Sequence, residues 1–484
     1  MYFFLAERNS FIYLILCLCI IFCSKAGNNS NSIFRCGEDD FKPIPLSPDY
    51  IVPLKDGDQK IKRQLDSNGF KDFKIYLDLL NFDDEVKKYN LQSKRELFAS
   101  GMQKAITTLQ KLLKVKPIPN YVFTDEHLKN IYINSWNKSM IGSDNRNKGI
   151  GMNNLGVDLY IFVRFGDKKE LGENTLASAG PRYLSQNSQP ILGIVNINRE
   201  QDFSKKNSLN YFEGIIIHEF THILGFSKGF FNDVFHNILF KKDKYGIERA
   251  YINSTKVVNV AKKYFNCKNL VGVELENQGG SGTVGSHWEA RILLGDYMNG
   301  VIYTPDQVIS EFTLALLEDS GYYKANYYTG GLMQFGKNKG CEFLELQCIN
   351  NGAVNSKFTN EYFDNINNDI TYFDASCSSG RQSRTYHFFR YYTNIPKEYQ
   401  YFNSNNQGGY TSADYCPVSL NRNEESNSIY YVGYCSEIGG DNYGGAIPYI
   451  DKNNKAKYYS SGELKSRTGE YHSSNSFCVL SSLI

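Results

Sequence analysis

The residues best suited to chemistry lie between positions 218 and 222, where the chain reads His-Glu-Phe-Thr-His inside an apolar segment. On a helix, two histidines four residues apart lie on one face about one turn apart, so both imidazoles can bind the same ion. Glu219 lies roughly 100° round the helix from His218, where its carboxylate can accept a proton from a metal-bound water. This pattern predicts a catalytic zinc site with His218 and His222 as ligands and Glu219 as general base. The alternative is a core helix whose histidines only form hydrogen bonds.

A catalytic zinc also needs a third protein ligand and an open position for water. The nearest suitable position is 228, three residues after a glycine, but Lys228 is protonated near neutral pH and cannot bind the ion. His287 is the candidate, because it follows a glycine-rich segment, 279–285, that can turn sharply and deliver a ligand from a loop. Met298 follows shortly afterwards and is typical of a Met-turn beneath zinc histidines. The alternative is a glutamate as third ligand, for which the candidates are Glu248 and Glu289.

The zinc-binding helix must be held by its own end signals. Asn210 and Glu213 form an N-cap and capping-box pattern, which predicts that the helix begins at Asn210. Gly225 follows the last apolar residues, as expected of a glycine at a helix C-terminus.

Other elements are predicted from apolar periodicity. Residues 91–115 have apolar side chains at helical spacing, with Ser93 and Glu96 as a capping box, and predict a long helix packed on a sheet. Alternating or continuous apolar runs predict strands at Phe73–Leu79, Val157–Val163 and Ile191–Asn198.

Taken together, these motifs resemble those of the leishmanolysin-like peptidases, a family of metzincin zinc proteases. The resemblance is strongest over residues 190–345, and the residues that carry it are His218, Glu219, His222, Gly225, Phe226, Ser286, His287, Trp288, Glu289 and Met298. It implies an α+β, metzincin-type catalytic domain, in which a mixed twisted sheet packs against the active-site helix, followed by a disulfide-rich C-terminal domain. It also implies one Zn²⁺ per chain, held by His218, His222 and His287.

The resemblance and the changes in composition predict six segments. They are a signal peptide at 1–26, a propeptide at 27–69, an N-terminal catalytic subdomain with the zinc helix at 70–228, an insertion at 229–286, the third-ligand and Met-turn region at 287–335, and a cysteine-rich C-terminal domain at 336–484.

The predicted function is zinc-dependent hydrolysis of peptide bonds in protein or peptide substrates. In metzincins the strand before the zinc helix forms the sheet edge that pairs with substrate. The resemblance therefore predicts a substrate-binding edge at Gly193, Ile194, Val195 and Asn196. The alternative, which does not exclude the first, is an ordinary core strand. The alternative function is a catalytically inactive adhesion or binding protein on the same fold, but such a protein would not need Glu219.

The N-terminal residues predict entry into the secretory pathway. Phe11–Cys23 is an apolar run too short to span a bilayer comfortably, and small residues follow it, which favours a cleaved signal over a retained anchor. The last residues lack the pattern of a lipid-anchor signal, so a secreted or cell-surface protein without a C-terminal membrane anchor is expected. A net charge of +2 argues against a nucleic-acid partner.

The cysteines agree with an oxidising compartment. Eight of the eleven follow the signal, and six of these lie after residue 340, which predicts disulfides in the C-terminal region. Cys36 lies alone near the start of the predicted propeptide. Its thiolate is either a latency switch that occupies the open position on zinc or one half of a disulfide.

Overall fold

The structure is a computed structural model, and its described part is a mixture of helices and sheets, as the α+β prediction requires. The described residues are 35–38, 43–51, 64–141, 151–152, 155–203, 208–280, 282–301, 307–327, 333–359, 361–364, 375–377, 384–420, 448–450 and 456–458. The strands up to residue 325 are β1 (Arg35–Glu38), β2 (Ile44–Pro45), β3 (Lys71–Asp72), β4 (Ile75–Leu77), β5 (Leu113–Val115), β6 (Leu159–Gly166), β7 (Thr175–Leu184), β8 (Pro190–Asn198), β9 (Ile238–Lys242), β10 (Glu248–Ile252), β11 (Val273–Glu274) and β12 (Tyr323–Ala325). The α-helices are α1 (Leu79–Lys88), α2 (Arg95–Leu112), α3 (Asp125–Asn130), α4 (Lys138–Ile141), α5 (Lys168–Leu171), α6 (Ser208–Ile223), α7 (Thr255–Phe265), α8 (Ala290–Leu293), α9 (Glu311–Asp319) and α10 (Cys341–Glu345).

The sheet beneath the zinc helix has the strand order β1-β7-β8-β6-β4, and β2 also pairs with β7. Strand β8 is parallel to β6 and antiparallel to β7, so it lies in the interior of the sheet. The prediction of a substrate edge at Gly193, Ile194, Val195 and Asn196 is therefore wrong, because hydrogen-bonded neighbours occupy both sides of this strand. The strand next to it, β7, is covered on its outer side by β1 and β2, both parallel to it.

Apolar side chains cover both faces of this sheet, which explains why β6 and β8 are almost continuously apolar. On one face, Tyr160 and Phe162 pack with the segment between α2 and β6, including Tyr121 and Trp136. On the other face, Phe165 packs on Phe98 of α2. An aromatic cluster on that face joins α2 to α6 through ring contacts among Phe98, Phe203 and Phe212. The sheet is thus the middle layer, and the zinc helix packs on one side of it.

The predicted elements are present with changed boundaries. The helix predicted over 91–115 is α2, which begins at Arg95 after a short 3-10 turn, has no side-chain cap hydrogen bond, and gives way to β5 at Leu113. The strand predicted at Phe73–Leu79 shortens to β4, because Asp78 caps α1 by accepting a hydrogen bond from Asn81 N–H.

The C-terminal part of the described chain contains short strands and two disulfides. The bonds are Cys267–Cys341 and Cys348–Cys416. The first connects the predicted insertion to the C-terminal region, and the second connects two distant points within that region. The strands are β13 (Ile349–Asn350), β14 (Ala353–Val354), β15 (Ala375–Cys377), β16 (Arg384–His387), β17 (Arg390–Tyr391), β18 (Gln407–Gly408), β19 (Ser419–Leu420), β20 (Pro448–Ile450) and β21 (Ala456–Tyr458). In the ranges described here, no helix combines the length and the apolar character needed to cross a membrane.

Candidate metal centre

The helix α6 carries the His-Glu-Phe-Thr-His motif and begins at Ser208, two residues before the predicted start. Asn210 therefore lies inside the helix and is not its N-cap. The other end agrees with the prediction: Gly225 has a φ of +113°, Gly225 N–H donates to His222 O, and Phe226 N–H donates to Thr221 O. This is the hydrogen-bond pattern of a Schellman motif, which ends the helix immediately after the second histidine and turns the chain back toward it.

Three imidazoles converge although His287 is far from the helix in sequence. The Nε2 atom of His218 lies 3.1 Å from Nε2 of His222 and 3.2 Å from Nε2 of His287. A tetrahedral zinc ion with Zn–N bonds of about 2.0–2.1 Å holds its nitrogen ligands about 3.3 Å apart. The observed spacing therefore fits the three nitrogens of one zinc ion.

Backbone carbonyls fix the orientation of each ring. Nδ1–H of His218 donates to Tyr297 O (2.5 Å), that of His222 to Phe226 O (2.6 Å), and that of His287 to Thr283 O (3.0 Å). Because the proton is on Nδ1, the Nε2 lone pair is free to bind a metal. These carbonyls were not recognised in the sequence, where only the glycine after the helix hinted that Phe226 turns back.

Burial favours the neutral form of all three rings. His218, His222 and His287 are 6%, 0% and 0% exposed. Burial lowers the pKa of His218 to about 4 and that of His287 to about 3. The pKa of His222 also lies well below its ordinary value, because of burial and then the charges of the other two histidines. A cluster of neutral imidazoles is the donor set that a catalytic zinc uses.

The segment from His287 to Met298 connects the third histidine to the first. His287 and Glu289 pair with β11 and the residues just after it: Glu276 N–H donates to His287 O, and Glu289 N–H donates to Glu274 O. On its other side, Trp288 N–H donates to the carbonyl of Met298, which is fully buried. Since Tyr297 O binds His218, this short segment positions two of the three histidines.

The remaining candidate residues are the predicted base, the two alternative glutamate ligands and the propeptide cysteine. Glu219 is 1% exposed and lies on α6 next to His218. Glu248 begins strand β10 and is exposed, while Glu289 accepts a hydrogen bond from Arg291 N–H in a different cluster of carboxylates. Cys36 lies on strand β1, but its side chain is outside the described part of the structure.

Tyr297 and Tyr303 lie close to Met298 in the sequence. Tyr297 is buried, and its hydroxyl contacts Thr221 Oγ1 at 3.0 Å. Thr221 Oγ1–H donates to Ile217 O, so the Tyr297 hydroxyl is the donor to Thr221. It is therefore not a free donor for a substrate oxygen. Tyr303 lies outside the described residues.

Comparison with known proteins agrees with this geometry. The family model described as leishmanolysin matches residues 102–484. A leishmanolysin homolog of Crithidia fasciculata is 31% identical over 268 residues, which cover 54% of this chain and 39% of the relative. A leishmanolysin-like peptidase of Drosophila melanogaster is 27% identical over 325 residues, covering 56% of this chain and 47% of the relative. Leishmanolysin of Leishmania tropica is 30% identical over 270 residues, covering 54% and 38%.

The matches thus span less than half the length of each of these relatives. The family model, however, covers well over half of this chain. The chain therefore belongs to the leishmanolysin family, whose members are zinc metalloendopeptidases.

Proposed function

We propose that this chain is a zinc-dependent endopeptidase with a metzincin-type active site. The observation that supports this proposal best is the convergence of Nε2 of His218, His222 and His287 beside the carboxylate-bearing residue Glu219. Zinc bound by three neutral imidazoles lowers the pKa of its water toward about 7 and polarises the scissile carbonyl.

The protein's own groups have two tasks in this reaction. The three histidines keep their Nε2 atoms unprotonated, because burial lowers their pKa and because Nδ1–H is held by a carbonyl. Glu219 accepts a proton from the attacking water and later passes it to the leaving amine. Its place on the rigid helix α6, next to His218, keeps its carboxylate at a constant position relative to the ligands.

We propose β7, and not β8, as the strand that pairs with an extended substrate. Its inner side is hydrogen-bonded to β8, and its outer side pairs with two short strands near the start of the chain, β1 and β2. An extended peptide can add to such an edge through main-chain hydrogen bonds. Residues 27–69, which include β1 and β2, act as a propeptide that has to leave this edge before substrate binds.

The disulfides indicate the compartment in which the protein folds. The two disulfides are typical of a chain that folds in an oxidising compartment, which supports a secreted or cell-surface protein. We further propose that residues 1–26 are a signal peptide and that the C-terminal domain begins near residue 336. The order of the remaining segments is a catalytic subdomain at 70–228, an insertion at 229–286 and the third-ligand region at 287–335.

Replacement of Glu219 by glutamine tests the general base. Glu219→Gln keeps the size of the side chain but removes its ability to accept a proton, so kcat should fall by about 10²–10⁴-fold while zinc content stays at one per chain. Glu213→Gln is the matched control, because Glu213 lies on the same helix, where its carboxylate accepts a hydrogen bond from Thr108. Near-normal turnover of peptide by zinc-loaded Glu219→Gln would contradict the assignment.

A further inference from the structure

A second group of buried carboxylates lies beyond the histidine centre. It consists of Glu274, Glu276, Glu289 and Asp414, which are 2%, 1%, 0% and 0% exposed, and we call it the carboxylate cluster. One oxygen each of Glu274, Glu289 and Asp414 lies within 4.8 Å of the others. The cluster joins three segments of the chain: β11 with the residues just after it, the residues just after His287, and the C-terminal region next to Cys416.

Two buried arginines neutralise only part of this cluster. Arg249 binds Glu274 and, at 2.7 Å, Asp414, while Arg291 Nη2 binds Glu274 at 2.7 Å. Arg291 Nε also lies 3.4 Å from Asp414. Arg249 also pairs with a third carboxylate, because its Nε–H donates to Asp243 at 2.8 Å. No side-chain cation among the described residues pairs with Glu276 or Glu289.

Three carboxylate oxygens are left without a donor in the described part of the chain: Glu276 Oε2, Glu289 Oε2 and Asp414 Oδ1. The other oxygens of Glu276 and Glu289 accept backbone N–H groups of Gln278 and Arg291. The unpartnered oxygen of Glu276 is an observation independent of the 4.8 Å spacing, which concerns only Glu274, Glu289 and Asp414. Backbone hydrogen bonds place Glu276 next to the others, because Glu276 N–H donates to His287 O and Glu289 N–H donates to Glu274 O.

Burying a carboxylate oxygen without a hydrogen-bond donor costs free energy of folding. If all four carboxylates are ionised, the two guanidinium groups leave the cluster with a net charge of −2. A divalent cation within the cluster would supply the missing charge and a partner for oxygens that have none. Carboxylate oxygens are the ligands that Ca²⁺ prefers, and its coordination distances of about 2.3–2.6 Å suit oxygens within 4.8 Å of one another, as those of Glu274, Glu289 and Asp414 are. We propose that Glu276, Glu289 and Asp414 form a binding site for a hard divalent cation, of which Ca²⁺ is the best fit.

A cavity borders the cluster at Glu274. Its volume is about 390 Å³, and its lining also contains Arg291, Lys241, Lys242 and Lys244. The lysines repel an approaching cation, so we expect slow exchange of the bound ion. An affinity in the range of extracellular calcium modules, on the order of 10⁻⁴–10⁻³ M, would keep the site filled only outside the cell.

The proposed cation site shares no residue with the histidine centre but lies next to it in the structure. Glu289 follows His287 by two residues, and Glu276 N–H binds His287 O. A cation here would therefore fix the segment that carries the third histidine against the C-terminal region. Zinc content, measured on the same samples, separates failure of this proposal from failure of the proposed peptidase.

The test uses the full-length, zinc-loaded protein. Ca²⁺ at millimolar concentration should raise its thermal midpoint, and Tb³⁺ should bind saturably with luminescence sensitised by Trp288, which precedes Glu289 in the chain. Ca²⁺ should displace the Tb³⁺. Glu276→Gln should weaken Tb³⁺ binding at least tenfold and abolish the Ca²⁺-dependent shift. Glu361→Gln should leave both unchanged, since Glu361 is a buried carboxylate that pairs with Lys339 outside the cluster.

The opposite results would overturn the proposal. If the wild-type protein shows neither a Ca²⁺-dependent shift nor saturable Tb³⁺ binding, the carboxylates are neutralised by shared protons and there is no cation site. The same conclusion holds if Glu276→Gln binds Tb³⁺ as tightly as the wild type. Measurements on the wild type alone decide the matter should Glu276→Gln fail to fold.

Discussion

Gly193 allows the zinc helix to approach the central strand, and replacing it by alanine gives the sharpest test of the packing around the site. A Cβ atom at Gly193 would lie 2.4 Å from Cγ2 and 2.9 Å from Cδ1 of Ile223, where ordinary contacts begin at 3.4 Å. Ile223 is fully buried and is the last residue of α6, next to His222. The helix end would have to move by about 1 Å from β8 to accept the new methyl group.

The expected cost follows from this overlap. Overpacking of a buried site typically destabilises by about 1–3 kcal/mol, so the free energy of unfolding of Gly193→Ala should fall by that amount. Because His222 moves with Ile223, zinc affinity should also fall, by about tenfold or more, as when the outer partners of metal ligands are lost.

A double-mutant cycle isolates the contact. Ile223→Ala alone removes buried methyl groups and should cost about 2–5 kcal/mol. In the double mutant the two changes compensate, since the new methyl group at 193 enters the space that Ile223 left. The double mutant should therefore be about 1–3 kcal/mol more stable than the sum of the single effects. Urea unfolding at saturating zinc and in the metal-free protein measures all four species, and additivity within about 0.5 kcal/mol would refute the reasoning.

Three further predictions concern the site and its surroundings. His287→Ala should lose stoichiometric zinc, while His236→Ala, at an exposed position, should keep it; the reverse result in metal analysis would show that the third ligand is wrong. Cys36→Ser in the unprocessed protein should raise basal peptidase activity, because a hydroxyl is a poorer zinc ligand than a thiolate, whereas finding Cys36 in a disulfide would end the switch hypothesis. Burial raises the pKa of Asp296 from 3.8 to about 7, so the native state keeps a proton that the unfolded chain releases. This contribution to stability is complete below pH 3.8 and should decline by about 1.4 kcal/mol per pH unit up to pH 7; in pH-dependent unfolding, Asp296→Asn should lack this decline.

The zinc helix could be predicted because its signals are local. The spacing of His218 and His222 and the glycine after the helix are readable in a few turns of chain, and the structure has both features where the sequence placed them. The start of the helix was predicted two residues too late, because residues such as Asn210 and Glu213 can occur at this spacing inside a helix as well as at its beginning. The same ambiguity affected Ser93, which lies in a 3-10 turn ahead of α2.

The order of strands could not be predicted, because it depends on contacts distant in sequence. Strand β7 contains Pro181 and several small residues, which lack the β-branched and aromatic character of a strand, and it was not predicted. Because β7 was not predicted, β8 was assigned to the edge of the sheet, where β7 actually lies next to it. The pairing of cysteines had the same difficulty: Cys267 joins Cys341 across 74 residues, and nothing local indicates that partner.

The cover over the outer side of β7 also bears on how the protein behaves in solution. A long strand with unpaired N–H and C=O groups along its edge is a template on which a second chain can assemble, and proteins commonly protect such edges. Here β1 and β2 shield parts of the β7 edge within the same molecule. Removal of the proposed propeptide, residues 27–69, would therefore expose the edge of β7 to other chains at the same time as it frees the active site. Solutions of the processed protein without substrate should aggregate more readily than those of the precursor, and a bound peptide should restore their solubility.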